Sequence, residues 1–343
     1  MATVSELLTA LANSIRSKTN VIDKISLEEM AYMVDCIEST TYNADPNTTD
    51  WGYFCYNNHH TGRVGQLKSS DTIKGISFAN MFRGSDKLTR IPDLSTPNGT
   101  NFSGMFYSNK ALLKSPALSS TRQGIDFSYM YNACVSMTET PQIDTRNGEY
   151  LQYMFWNCQT MADPLEIISN EARNLEGLVR NSYLLPSLTI RIPNPGRLTS
   201  TVAMCHSCKA LETVTGDFYI GTSGAKEMFC GCDKLHTIGR IRINPSIRDN
   251  ATDVWTQTFE WCYGLVNLDI SGKNKWTGLN LKHSKKLSKE SIIKVINTLS
   301  DEVTGKSITL SVENVDNVFE NGSAGQEWSE LIATKPNWTI ALM

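Results

Sequence analysis

The sequence predicts an α/β solenoid, a stack of similar units of about 24 residues each. The first indication is a pair of bulky residues, most often Met and an aromatic residue, that recurs through the middle of the chain. Two further columns keep step with this pair: a small residue four positions after its first member, and a Leu or Met seven positions after it. A constant period of this size is typical of stacked supersecondary units, so the length of 343 residues does not indicate a number of separate domains.

About eight units carry these columns. We call the first residue of each pair the repeat origin; successive origins lie 24 to 26 residues apart, except for a last step of 30. The origins are Met81, Met105, Met130, Met154, Leu178, Met204, Met228 and Thr258. One unit buries about five apolar side chains, worth roughly 1.5 to 3 kcal/mol each, whereas ordering its backbone costs roughly 1 to 2 kcal/mol per residue. The units are therefore expected to fold only as a stack.

Before the repeats, residues 1–37 are predicted to form a helical docking hairpin. Thr3 with Glu6, and Ser26 with Glu29, have the spacing of a capping box. An apolar stripe follows each cap, and six members of these stripes are the candidate docking residues: Leu7, Leu8, Leu11, Ile15, Met30 and Val34. Because so small a hairpin cannot bury two stripes by itself, we expect it to bind another protein, a copy of itself or the end of the solenoid.

A polar linker is predicted at residues 38–50 and the solenoid at 51–280, with the aromatic segment WGYFCY as an irregular opening unit. Within a unit, the residues directly after the origin are expected to be helix-like. A short strand follows, seen best in LPSLTIRI, LHTIGRIRI and LVNLDI. Residues 281–343 are predicted to form an α/β cap, with helices in SKESIIKVINTLSD and GQEWSELIATK and strands in SITLSV and NWTIAL.

Composition argues against several classes of partner. The net charge is -3, the pI is near 6.0, and the basic residues are scattered, which disfavours nucleic acid and anionic membrane surfaces. The opening residues lack a basic region before an apolar run, and no apolar run approaches ~18 residues. We therefore expect neither a secretion signal nor a membrane span.

The spacing of the cysteines allows two interpretations, a zinc site or a column of packed core residues. Cys205, Cys208, Cys230 and Cys232, with nearby histidines, have spacings partly like those of zinc ligands. However, five of the nine cysteines occupy the small-residue column: Cys134, Cys158, Cys208, Cys232 and Cys262. We therefore expect a packed ladder of cysteines and no metal, and the odd total argues against a disulfide framework.

Two other groups were weighed for chemistry. Cys55, His59 and His60 resemble a nucleophile with a base, but surface histidines beside a core cysteine are the expected arrangement. Glu139 and Asp163 should lie about 5 Å apart on neighbouring strands, near the separation in a retaining glycosidase. A charged stripe on a solvated sheet is commoner, so no catalytic residue is assigned.

The candidate binding face is the column nine positions after each origin, expected to face outward from a concave sheet. Its members are Arg90, Lys114, Glu139, Asp163, Ser187, Thr213, Thr237 and Asn267. The column changes from basic through acidic to hydroxyl and amide side chains. Such a gradation is more typical of a surface that binds a partner than of a catalytic site.

Three segments, MFRGSDKLTRIPDL, MFWNCQTM and MFCGCDKLHTI, resemble the bacterial surface-protein type of leucine-rich repeat, whose units read MF-x-G-C-x-x-L-x-x-I. The L-x-x-L-x-I strand pattern is also that of leucine-rich repeats. This resemblance covers about two thirds of the chain. The hairpin ELLTALANSIRSKTNVIDKISLEEMAYMV is similar to the opening of tail-associated proteins in phages of Gram-positive bacteria, and LSKESIIKVINTLSD, TGKSITLSV and KPNWTIAL resemble their end.

The resemblance implies a structural component of a phage tail or baseplate, made in the host cytoplasm and carried in the virion. On this interpretation the chain is not an enzyme and needs no cofactor. The hairpin binds other tail or baseplate proteins within an oligomeric assembly, and the solenoid recognises a glycan or protein of the host surface. A bacterial cell-surface adhesin is the alternative, and a polysaccharide-cleaving tail protein is a minor one.

Overall fold

The computed structural model describes residues 47–57 and 67–343. These residues fall into two compact units, one ending at Asp144 and the other comprising Thr145–Met343. Within the described residues, no helix has the length and apolar character needed to cross a membrane. The predicted docking hairpin, with its six candidate docking residues, and most of the predicted linker lie outside the described residues.

The first unit is built from turns that stack in parallel. A 3-10 helix covers Ser69–Thr72, and isolated parallel bridges join successive repeats, as between Ser77 and Asn101. Aromatic residues three positions before the origins stack in the core: the ring centroids of Phe78 and Phe102 are 5.4 Å apart, and those of Phe102 and Phe127 are 5.5 Å apart. The repeat period therefore produces a solenoid stack in this unit.

A glycine precedes each of these three phenylalanines by three positions. A Cβ atom on Gly99 would lie 2.4 Å from Cζ of Phe102, and one on Gly124 would lie 2.1 Å from Cζ of Phe127. The ring of each Phe therefore occupies the space that a side chain would need. This Gly-x-x-Phe column was available in the sequence as KGISF, NGTNF and QGIDF, but the sequence analysis did not use it.

The segment after each origin is a series of tight turns, and the expectation of a helix-like segment was wrong. In the repeat of Met228, the amides of Met228, Cys230 and Cys232 donate to carbonyls three residues earlier, at 3.0, 3.2 and 3.1 Å. Residues one position before and three positions after the origins have positive φ, which no α-helix of L-residues tolerates. They are Asn80, Gly84, Gly104, Ser108, Tyr129, Ala133, Tyr153, Asn157, Gly177, Asn181, Ala203, Ser207, Glu227, Gly231, Gln257 and Trp261.

Neighbouring repeats select this turn conformation. The amide of Cys205 donates to the carbonyl of Met228 at 2.8 Å, and that of Ser207 donates to the carbonyl of Cys230 at 2.7 Å. Alternate amides thus point to the next repeat, which a helix would forbid because all its amides point along its own axis. The same geometry occurs at Tyr53 and Asn57, with φ of 60° and 54°, so the aromatic opening segment is a turn of this type.

The second unit contains a parallel sheet of five strands in the order β1-β2-β3-β4-β5. The strands are β1 (Leu165–Ile168), β2 (Ser187–Ile192), β3 (Thr213–Tyr219), β4 (Thr237–Arg242) and β5 (Asn267–Ser271). The strands expected in LPSLTIRI, LHTIGRIRI and LVNLDI are confirmed as β2, β4 and β5. Alternate residues point inward, as in β2, where Leu188, Ile190 and Ile192 are fully buried.

The C-terminal part of the second unit has its own parallel sheet, in the order β6-β7-β8. Its strands are β6 (Leu279–Leu281), β7 (Lys306–Leu310) and β8 (Trp338–Leu342), and its helices are α1 (Lys289–Thr298), α2 (Val312–Val318) and α3 (Gln326–Ala333). The two helices and two strands expected here are present; β6, α2 and a 3-10 turn at Gly322–Ala324 were not predicted.

Polar contacts fix helix α1 against strand β5. The Oγ atom of Ser291 donates to the carbonyl of Val266 at 3.1 Å and accepts from the amide of Leu268 at 3.0 Å. The buried side chain of Asn274 accepts from Nε1 of Trp255 at 3.0 Å. Together these bonds satisfy backbone and indole groups that would otherwise be buried without partners, a cost of about 1–3 kcal/mol each.

Candidate functional site

The most regular surface feature of the second unit is a column of polar side chains at the start of its strands. Ser187, Thr213, Thr237 and Asn267 are the first residues of β2 to β5 and lie opposite one another in the register. The Nδ2 atom of Asn267 donates to Oγ1 of Thr237 at 3.2 Å. We call these four residues the polar column. All four are partly or fully solvent-exposed, on the side of the sheet opposite the apolar core.

The other members of the candidate face lie elsewhere. Arg90, Lys114 and Glu139 are exposed in the first unit, and Asp163 is exposed in the second, two residues before β1. Lys114 Nζ lies 2.6 Å from Glu139 Oε2, and the hydrogen bond to this carboxylate raises the pKa of Lys114. Because Glu139 and Asp163 belong to different units, their predicted proximity stays a prediction.

Charged residues further along the same strands complete the solvent-exposed side of the sheet, and sequence analysis did not single them out. Arg242 forms a two-pronged ion pair with Asp217, and its guanidinium lowers the pKa of that carboxyl. Arg240 Nε lies 3.3 Å from Asp269 Oδ2. We call this group, with Lys294 of α1 at 4.0 Å from Asp269, the charged ladder.

The residues of the charged ladder do not form a column with the repeat period, because the strand pairing shifts register at two places. The pairing of β3 with β4 shifts between Val214 and Asp217, and that of β4 with β5 shifts between Ile238 and Arg240. Gly216 and Gly239 lie at these shifts, where a Cβ atom would approach a neighbouring carbonyl oxygen to 2.0 and 2.5 Å. Beyond the bulges, residues that face each other no longer have the same distance from their origins.

The turn edge of the second unit carries a separate exposed group. Trp261 and Tyr263 are 45% and 48% exposed, and the Tyr263 ring packs edge-on against His283 with centroids 5.8 Å apart. In the repeat of Met204, Nε2 of His206 is 3.9 Å from Oε2 of Glu227. Burial, more than the nearby charge of Arg180, lowers the pKa of His206, so this imidazole is neutral near pH 7.

The cysteine column is a structural ladder. Its thiols are buried, and several donate to the carbonyl one position after the origin of the preceding repeat: Cys208 Sγ to Val179 O at 3.0 Å and Cys262 Sγ to Phe229 O at 3.1 Å. Ser182 occupies the same place and donates to Phe155 O at 2.8 Å. The Cys and Ser members of the column therefore share one size and one donor position, whereas the buried amide of Asn109, in the same column, has no hydrogen-bond partner among the described residues.

The four cysteines whose spacing partly resembles that of zinc ligands, Cys205, Cys208, Cys230 and Cys232, are buried in the core. Burial raises the pKa of Cys208 to about 12 and that of Cys230 to about 11. Without a metal, these thiols are therefore protonated near pH 7. Among residues 47–57 and 67–343, no group of three or more His, Cys, Asp or Glu side chains has metal-ligand geometry. Cys55 is buried beside the turn of the next repeat, while His59 and His60 lie outside the described residues.

Comparison of the chain with protein-family models, with curated proteins and with solved structures gives no match.

Proposed function

We propose that this protein is a non-enzymatic component of a phage tail or baseplate, in which leucine-rich-repeat-like units present a rigid surface to the host. The observation that carries the proposal is the polar column, in which four side chains of similar chemistry follow one another across β2 to β5. The sequence resemblance at both ends of the chain supports the assignment to a tail.

The construction of the sheet suits recognition. Each side chain of the polar column both donates and accepts hydrogen bonds, and its backbone belongs to a parallel sheet with a buried apolar side. A surface that is ordered before binding loses little conformational entropy when a partner is bound. Repeated groups at strand spacing match a partner that is itself repetitive, such as a surface glycan or an extended protein segment.

One experiment tests the location in the particle. The gene is replaced by a version that lacks residues 1–37, and purified virions are analysed by mass spectrometry. We expect the full chain in wild-type virions and its loss from the particles of the truncated strain, while the isolated truncated protein unfolds at the same temperature as the full chain. Normal incorporation of the truncated chain would refute docking by the hairpin, and absence of the full chain from virions would refute the tail assignment.

A second experiment tests the binding face. The double variant Thr213→Arg and Thr237→Arg places two long charged side chains in the centre of the polar column. We expect phage adsorption to host cells to fall at least ~10-fold, which corresponds to about 1.4 kcal/mol, without a change in the thermal unfolding of the protein. The matched control is Lys234→Glu, an exposed change in a turn of the same unit. Unchanged adsorption by the double variant would exclude this face as the recognition surface.

A further inference from the structure

The repeat of Met228 contributes most of a surface groove that belongs neither to the polar column nor to the charged ladder. It has a volume of about 510 Å³ and lies wholly within the second unit. Its lining residues are Thr222, Ser246, Arg248, Asn250, Ala251 and Thr252. Five of these six come from the loop between β4 and the origin at Thr258, where the step between origins lengthens to 30 residues. The groove is therefore a product of the one long insertion in the repeat.

The loop is held in place by groups outside the groove. Buried Asn244 donates through Nδ2 to the carbonyl of Pro195 at 3.1 Å and accepts from the amide of Ser246 at 2.9 Å. On the other side, Nε1 of Trp276 donates to the carbonyl of Arg248 at 3.0 Å. The side chain of Ile247, 4% exposed, anchors the loop between them. The groove is thus ordered before any ligand binds, which reduces the entropy lost on binding.

The chemistry of the lining is specific. Thr222, Ser246 and Thr252 supply hydroxyls and Asn250 an amide. The hydroxyls of Thr222 and Thr252 donate to Thr199 O and Asp253 Oδ2, both at 3.4 Å, and keep lone pairs that accept from a ligand hydroxyl. Ser246 and Asn250 can both donate to and accept from the hydroxyls of a sugar or polyol. Arg248 supplies a guanidinium, which only donates and whose planar fork matches a carboxylate or a phosphate. In the described part of the chain, this guanidinium has no ion pair with a carboxylate, and no acidic side chain lines the groove.

We propose that this groove binds an anionic saccharide or polyol, with Arg248 on the carboxylate or phosphate and the neighbouring hydroxyl and amide groups on the ligand hydroxyls. An apolar peptide anchor does not fit, because Ala251 is the one apolar residue of the lining. Single-stranded nucleic acid does not fit either, because the lining has no aromatic ring on which a base could stack.

The open form of the groove predicts weak binding at each site, since a solvent-exposed ion pair contributes little by itself. The hydroxyl and amide groups must therefore contribute alongside Arg248. A polymeric ligand would gain from several copies of the chain side by side. The inference does not depend on the proposed location in a phage tail, because the groove is complete within one chain.

The test compares matched probes on the full chain by ligand-observed NMR. Trigalacturonate presents hydroxyls with carboxylates, its methyl ester presents the same hydroxyls without charge, and a glycerol phosphate oligomer presents hydroxyls with phosphates. We expect at least one anionic probe to bind, and the methyl ester to bind at least ~5-fold more weakly than trigalacturonate if the anion is a carboxylate. Binding of one anionic probe and not the other identifies the anionic group.

Variants then locate the site. Arg248→Gln is expected to weaken the anionic probe at least ~10-fold without changing thermal unfolding, and Arg248→Lys, which keeps the charge but loses the fork, to give an intermediate loss. The matched control, Arg191→Gln, removes an exposed Arg from strand β2 of the same unit and should leave binding unchanged. The proposal is overturned if no anionic probe binds at ~10 mM, if Arg248→Gln binds as well as the wild type, or if Arg191→Gln weakens binding equally.

Discussion

The Sγ atom of Cys232 donates a hydrogen bond of 3.0 Å to the carbonyl oxygen of Cys205 in the preceding repeat. The same carbonyl accepts from the amide of Cys208 within its own repeat, at 3.2 Å. Each thiol of this column therefore links the turn of its repeat to the turn below. Because Ser182 makes the equivalent bond through its hydroxyl, the two residue types are interchangeable in this place.

We expect Cys232→Ser to change the free energy of unfolding by less than about 1 kcal/mol, because the hydroxyl keeps both the size and the donor. Cys232→Val, which is larger and has no donor, should cost about 1–2 kcal/mol through the lost bond and local overpacking. Urea unfolding of both variants and the wild type measures these differences. Equal stability of the serine and valine variants would mean that the column selects size alone.

The buried thiols should resist alkylation in the folded protein. Burial raises the pKa of Cys134 and Cys208 to about 12, so at pH 8 almost none of either group is the reactive thiolate. We expect iodoacetamide to modify Cys134, Cys208 and Cys232 slowly in buffer and rapidly in urea, as measured by peptide mass spectrometry. A chelator should leave the thermal unfolding temperature unchanged. Rapid native labelling of Cys208, or a chelator-induced fall in that temperature, would contradict the structural ladder.

The bulge in strand β3 should tolerate no side chain at Gly216. This residue has a φ of 105°, and a Cβ atom would lie 2.0 Å from the carbonyl oxygen of Ile190. We expect Gly216→Ala to destabilise the protein by about 2–4 kcal/mol through backbone strain and steric overlap. The control is Gly196→Ala in the same unit, where a Cβ atom has nothing within 4 Å. Similar midpoints of thermal unfolding for the two variants would argue against the bulge.

The ion pair between Arg242 and Asp217 should give a small pH-dependent contribution to stability. Since the guanidinium lowers the pKa of Asp217 below its ordinary 3.8, the contribution is present above that value and is lost as the pH falls through the lowered pKa. Both side chains are well exposed, so we expect Asp217→Asn to cost less than about 1 kcal/mol at pH 7 and nothing at pH 2.

Urea unfolding of the wild type and Asp217→Asn at pH 7 and pH 2 checks this expectation. Asp233→Asn, an exposed change in a turn outside the sheet, is the matched control. A cost for Asp217→Asn that persists at pH 2 would show that the carboxylate charge is not responsible.

Much of the scaffold could be predicted because the core columns recur. Met105, Leu112 and Met137 are fully buried, as their column positions indicated, and the strands of LPSLTIRI and LHTIGRIRI are present. The backbone of the tight turns could not be predicted from spacing. An apolar pair followed by a Leu seven residues later fits an α-helix as well as it fits the observed turns. The four members of the candidate face on β2 to β5 align in the sheet, and their role in binding stays a prediction. The charged ladder beside them was not predicted.

The amino-acid sequence by itself determined the period, the residues that form the core and the places of β2, β4 and β5, since each repeat must bury the same columns against its neighbours. The tertiary structure alone decided the left-handed turn residues, the bulges at Gly216 and Gly239, and the groove beside Arg248. The physical reason is that these features depend on hydrogen bonds between residues one repeat apart or more, such as Cys205 with Met228 and Asn244 with Pro195. A bond between backbone groups can be made by almost any residue type, so spacing alone does not reveal it.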